Sequence, residues 1–154
     1  AAVAEVGSTD PKALHEVLDR SARHAPFTPA IVDDEGTLTY AELQSESAAL
    51  AEALLRRGVE PLTSRPLATY LRRGRRLVVA YAAAMRCGAP VLALSGDLRD
   101  ASVKLERNQD ALRVLSAQLL LVKADEGLPG LAGVRAAADA AAVPVAELSA
   151  LAQP

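Results

Sequence analysis

The chain has 154 residues, 51% hydrophobic and 23% charged, with a net charge of −2. A chain of this length buries roughly 70% of the surface it exposes unfolded, enough for one core. Its near-neutral balance argues against nucleic acid as the main partner, and a single cysteine, Cys87, excludes an internal disulfide and any cysteine-based zinc cluster. Aromatic residues are scarce and alanine is abundant, so the expected core is Leu, Val and Ala packed closely. No apolar run approaches the roughly 20 residues that span a bilayer, and the N-terminus lacks the basic-then-apolar order of a secretion signal. A soluble protein in a reducing cytoplasm is expected, with no membrane partner.

Residues 1–9 read as a linker and residues 10–154 as a single α/β domain. Asp10 followed by Pro11 predicts a helix start, with Asp as N-cap and Pro at the first helical position. Leu14, Val17, Leu18, Ser21 and Ala22 then recur at helical spacing, predicting a helix over 11–23 that Pro26 prevents from continuing. "PAIVDDEGTLTY" reads as strand, turn, strand, with Asp33, Asp34, Glu35 and Gly36 supplying the hairpin loop. Thr39 and Glu42 have the spacing of a capping box. Leu43, Ser47, Leu50, Ala51 and Leu54 share one face of the following helix, which Gly58 ends as a C′ residue.

From Pro66 the pattern becomes a repeated alternation. "PLATYL", "PVLAL", "QLLLV" and "VPVAEL" read as strands. "RRLVVAYAAAMRC", "DASVKLERNQDALRVLSA" and "LAGVRAAADAAA" read as the helices between them, the first stopped by Gly88. Strands apolar on both faces, alternating with helices, predict a mostly parallel, doubly wound (Rossmann/flavodoxin-like) sheet with flanking helices, preceded by a helix and a β-hairpin.

Candidate chemistry is sparse. "GLPGLAG", Gly127 to Gly133, sits between a strand and a helix but lacks the Lys and Ser/Thr of a phosphate loop and the dinucleotide spacing; it reads as a connection. Arg72, Arg73, Arg75 and Arg76 cluster at a strand-to-helix turn on the carboxyl edge of the sheet, where open α/β folds place ligands. Four cations at a helix N-terminus also oppose the helix dipole, a conflict that an anionic partner would relieve. These four arginines are the candidate partner-binding residues, against the plainer reading of a solvated loop. His15 and His24 match no ligand or triad spacing. Asp33, Asp34 and Glu35 lack the spacing of a calcium loop and read as turn residues. Ser95, Gly96 and Asp97 read as a capping segment. No nucleophile, base and oxyanion site assembles, so no catalytic, cofactor or metal residue is expected.

"LHEVLDRSARHAPFTPAIVDDEGTLTYAEL", "LAEALLRRGV" and "LVVAYAAAMRCGAPVLAL" together resemble the adenylate-forming superfamily: acyl-CoA ligases, fatty acyl-AMP ligases and the adenylation domains of nonribosomal peptide synthetases. The similarity covers about Leu14 to Leu94. The chain departs from the family's pattern at "PLTSR", at "LRRGRR", at Arg86 and Cys87 where Lys and Ala are common, and at "ALSGD". The resemblance implies that the family's phosphate loop, ATP-binding aspartate, adenine-site motif and C-terminal lysine fall downstream of the equivalent of Pro154. No catalytic residue therefore carries over. The resulting expectation is a truncated, non-catalytic adenylation-type domain, with a structural or docking role in a nonribosomal peptide or polyketide assembly line. Its partners would be neighbouring domains or an acidic carrier protein. The alternatives are an excised part of an active ATP-dependent ligase, or an independent small α/β module binding a ligand near Arg72, Ser95 and Asp97.

Overall fold

The computed structural model describes residues 13–94 and 101–151, the side chains of 101–104 excepted. Helix α1 (Leu14–His24) leads into a hairpin of β1 (Pro29–Asp33) and β2 (Gly36–Thr39), then α2 (Tyr40–Arg56). Four strands follow, β3 (Leu67–Tyr70), β4 (Val91–Ala93), β5 (Leu119–Val122) and β6 (Val145–Glu147). Between them run α3 (Arg75–Cys87), α4 (Ala101–Val114) and α5 (Leu131–Ala140), and α6 (Leu148–Leu151) comes last. The hairpin is an antiparallel sheet of its own, and the other strands form one parallel sheet in the order β4-β3-β5-β6. The chain crosses from β4 back past β3 to β5, so the strand order reverses between β3 and β5. This is the doubly wound arrangement expected from the alternation of apolar strands and helices.

The capping box forms as its spacing predicts. Glu42 N–H donates to Thr39 Oγ1 at 3.3 Å, and Thr39 N–H donates to the Glu42 carboxylate at 2.8 Å. Leu43, Ser47, Leu50, Ala51 and Leu54 are all buried along the inner face of α2. Helix α3 runs over Arg75–Cys87 and ends at Gly88, whose φ of 67° is left-handed. A Cβ there would stand 2.6 Å from a Leu62 methyl, so both the backbone and the space favour glycine. Ala80, Ala83 and Ala84 are fully buried, and their small side chains let α3 lie close along α2.

Two cores flank the sheet. Leu67, Leu119, Leu121 and Ala146 meet α2, α3 and α6 on one side, while Ala68, Tyr70, Leu120 and Val122 meet α4 and α5 on the other. Neighbouring residues of one strand thus divide between the faces, and every residue of β3 and β5 is buried. Edge strand β4 is more open.

Three differences from the sequence reading have local causes. Helix α1 begins at Leu14, with Ala13 as an N-cap that makes no side-chain cap bond. Its residues lie on the rim, Leu14 and Val17 exposed and Leu18 half-buried against the core. Helix α4 ends at Val114 rather than Ala117, because Ser116 adopts a positive φ of 51°. The one-turn helix α6 follows β6 directly and is held by burial of Leu148 and Leu151. The linker at 1–9, the Asp10–Pro11 helix start and the Ser95–Gly96–Asp97 segment lie outside the described residues.

Candidate functional site

The carboxyl edge of the parallel sheet is where the arginine cluster falls. Strand β3 ends at Tyr70, and Leu71 to Gly74 turn the chain into α3. Gly74 has φ 147°, and a Cβ on it would stand 3.1 Å from Asp33 Oδ2. The turn therefore presses against the hairpin, and glycine allows that approach.

The hairpin supplies the charge that the arginines lack. Arg75 donates its backbone N–H to Asp33 Oδ2 at 2.8 Å, and its guanidinium grips the same carboxylate, Nη2 to Oδ1 at 2.7 Å and Nε at 3.1 and 3.2 Å. Their side chains are only 14% and 11% exposed. Arg72 pairs with Asp34 at 3.2 Å and Arg76 with Glu35 at 2.8 Å. The Arg75 hydrogen bonds, first from its side chain and then from its backbone, hold the Asp33 carboxyl far below the usual carboxylate range. Asp33 also accepts the Glu35 N–H at 3.1 Å, closing the hairpin turn. The conflict between four cations and a helix N-terminus is thus relieved by an anion from within the chain. Arg73, exposed, completes the cluster beside them.

Other groups lace the same edge. Arg72 N–H donates to Glu126 at 2.8 Å, and the Ala124 N–H donates to Glu147 at 2.8 Å. Arg135 reaches the other Glu147 oxygen at 3.1 Å, and Lys123 pairs with Asp125. Tyr70, buried, donates its hydroxyl to the Pro129 carbonyl at 2.6 Å, which fixes the "GLPGLAG" connection over the sheet. Beside Tyr70 and Pro129 lies a cleft of about 600 Å³ lined also by Thr69, Arg72, Arg73, Tyr81 and Leu94 among others. Thr69 is fully buried, and its Oγ1 has no hydrogen-bond partner among the described residues. The size suits a small ligand. Of the three residues read as its surroundings, Arg72 lines it, while Ser95 and Asp97 lie outside the described residues.

Away from the edge, a polar clamp absent from the sequence reading ties three helices together. Arg86, half-buried on α3, donates from Nη2 to Asp19 of α1 at 2.5 Å and from Nε to Ser47 of α2 at 2.9 Å. The Arg86 hydrogen bond lowers the Asp19 carboxyl from its ordinary value, against the opposing effect of burial. Cys87 beside it is buried, desolvation pushes its thiol pKa up, and its Sγ faces the Ala51 carbonyl at 3.7 Å. A thiol in that setting packs rather than reacts. Among the described residues, no group of three His, Cys, Asp or Glu is placed to hold a metal ion. No helix among them is long and apolar enough to cross a membrane.

A parallel doubly wound sheet with an N-terminal helix and hairpin defines the class as an α/β domain with a ligand-sized carboxyl edge. The model of the AMP-binding enzyme family matches residues 18–153, and the chain belongs to that family. It is 33% identical over 108 residues to nonribosomal peptide synthetase 5 of Gibberella zeae, covering 70% of this chain and 1% of that protein. To phosphinothricin tripeptide synthetase PhsC of Streptomyces viridochromogenes it is 35% identical over 112 residues, covering 73% of this chain and 10% of that protein. Among solved structures it is similar to VinN, with a TM-score of 0.74 at 23% identity over 90% of this chain and 34% of that one. It is also similar to o-succinylbenzoate coenzyme A synthetase from Bacillus subtilis in complex with AMP, with a TM-score of 0.66 at 20% identity over 89% and 32% of the two chains. The structural likenesses establish the fold. The chain spans only a small part of the length of the synthetases it matches, and it corresponds to the opening part of an adenylation domain, as the "LTYAEL" region implies.

Proposed function

We propose that the chain is a structural, non-catalytic part of an adenylation-type unit in a nonribosomal peptide or polyketide assembly line, with the arginine turn as its contact surface. The observation that carries this reading is the use made of the conspicuous charged groups. Asp33, Arg75, Asp19 and Arg86 are spent on holding elements together, which is what a scaffold requires. Adenylate formation needs groups that position ATP and a carboxylate and stabilise charge at phosphorus. Arg72, Arg75 and Arg76 face carboxylates of the chain itself instead. The docking part of the proposal rests on Arg72, Arg73 and Arg76 lying together at one edge, where Arg75, nearly enclosed against Asp33, holds the turn rather than meeting the partner. The partner is a neighbouring domain or an acidic carrier protein.

A second reading, that the segment supports the active site of a complete ATP-dependent ligase, is favoured by the family match running from residue 18 to 153. The sequence of the parent polypeptide after Pro154 separates the two. A carrier, condensation or ketosynthase domain directly after it is the expected result. A Ser/Thr/Gly-rich phosphate loop in that place would overturn the structural reading in favour of the ligase.

A further inference from the structure

The three ion pairs between hairpin and arginine turn are not alike. Arg75 and Asp33 are nearly enclosed and share several hydrogen bonds, one of them to the backbone. The Arg72–Asp34 side chains are 62% and 63% exposed, and the Arg76–Glu35 side chains 37% and 47%. Exposed pairs of this kind are weak and screened by salt, and they exchange readily. Three consecutive carboxylates, Asp33, Asp34 and Glu35, therefore meet three arginines of one turn through one fixed contact and two loose ones.

From the side of the arginines, the hairpin tip is a short acidic peptide already in place. Resting on the docking reading above, we infer that Asp34 and Glu35 act as an internal competitor for the arginine turn, imitating the acidic segment of a partner protein. Docking requires Arg72 and Arg76 to release them. The Asp33 carboxylate keeps Arg75 and the Gly74 turn in shape throughout, so only long side chains swing and no backbone moves. The recognised chemistry is a run of carboxylates on a protein surface, because that is what the turn already binds.

Fluorescence anisotropy with labelled poly-L-glutamate at low salt tests this on the full chain. Asp34→Asn with Glu35→Gln should bind about three- to tenfold tighter than wild type, the amount two weak surface pairs can withhold. The control is Glu52→Gln with Asp110→Asn, which removes the same charge and frees Arg56 and Arg113 from their exposed pairs elsewhere. It should gain clearly less. Adding Arg72→Gln and Arg76→Gln to the hairpin variant should abolish the gain. Equal gains in the hairpin and control variants would overturn the competitor while leaving the docking surface standing. Unchanged binding by Arg72→Gln with Arg76→Gln in the wild-type background would overturn the docking surface itself. Tighter binding of polyphosphate than of polyglutamate by the hairpin variant would overturn the choice of a carboxylate partner.

Discussion

The two faces of the parallel sheet are held by different means. Facing α2, α3 and α6, a leucine and alanine core is supplemented by directional contacts between distant parts of the chain: Arg86 to Asp19 and Ser47, and Arg75 to Asp33. Facing α4 and α5, Leu112, Leu120, Val122, Val134 and Ala138 pack together, and the directional contacts among the described residues there include a tyrosine hydroxyl on a carbonyl and the more exposed Arg135–Glu147 pair, with Asn108 of α4 as a further buried polar group. Burial resists separation of layers but is tolerant of sliding, whereas a bidentate ion pair fixes an orientation. The face carrying the hairpin and α1 is therefore specified in register, and the opposite face mainly in packing.

Truncating either core should show the two faces as equals and gives the largest effects. Leu54→Ala on the first face and Leu112→Ala on the second, both fully buried, should each lose about 2–5 kcal/mol in denaturant unfolding. Removing the clamps should separate the faces. Arg86→Met leaves the Asp19 carboxylate without its cation, while the Ser47 hydroxyl keeps its bond to the Gln44 carbonyl, and should lose about 1–3 kcal/mol. Arg135→Met on the second face should lose at most about 1 kcal/mol, since its pair is more open to water. Equal losses from the two arginine variants would break the comparison. Smaller still, Thr39→Ala should remove about 1 kcal/mol by opening the capping box of α2.

Acid should find the first face before the second. The Asp19 and Asp33 carboxyls are lowered from their ordinary value of 3.8 by arginine hydrogen bonds. With the folded-state value below the unfolded one, their contribution is fully present well above pH 4 and is lost as the pH falls through 3.8 and beneath it. Asp33→Asn should therefore flatten the acid limb of the stability profile, with little change in its slope near neutrality. An unaltered acid limb would contradict the assignment.

Sequence reading succeeded where the cause was local. The Thr39–Glu42 box, the buried face of α2 and the Gly88 stop of α3 depend on residues within a few positions of one another, and each appears as its spacing predicts. The alternation of apolar strands with helices sufficed for the parallel sheet. The clamps were not legible because their partners lie 39, 42 and 67 residues apart. Asp33, Asp34 and Glu35 looked like turn residues, and nothing in their spacing pointed to arginines some forty positions downstream. The arginine cluster was visible as a charge anomaly, and the anion relieving it came from within the chain. Asp19 offered no signal, because its helical position falls away from the face of Leu14, Val17, Leu18, Ser21 and Ala22 that was expected to turn inward; only Arg86 stood out, as a cation on an apolar helix.

The most direct test of the scaffold reading combines folding and chemistry on the same sample. The purified chain should unfold in a single cooperative transition, and with ATP, magnesium and a panel of amino and aryl acids it should exchange no pyrophosphate above the protein-free background. Acid-dependent pyrophosphate exchange by the folded chain, abolished on unfolding, would contradict it.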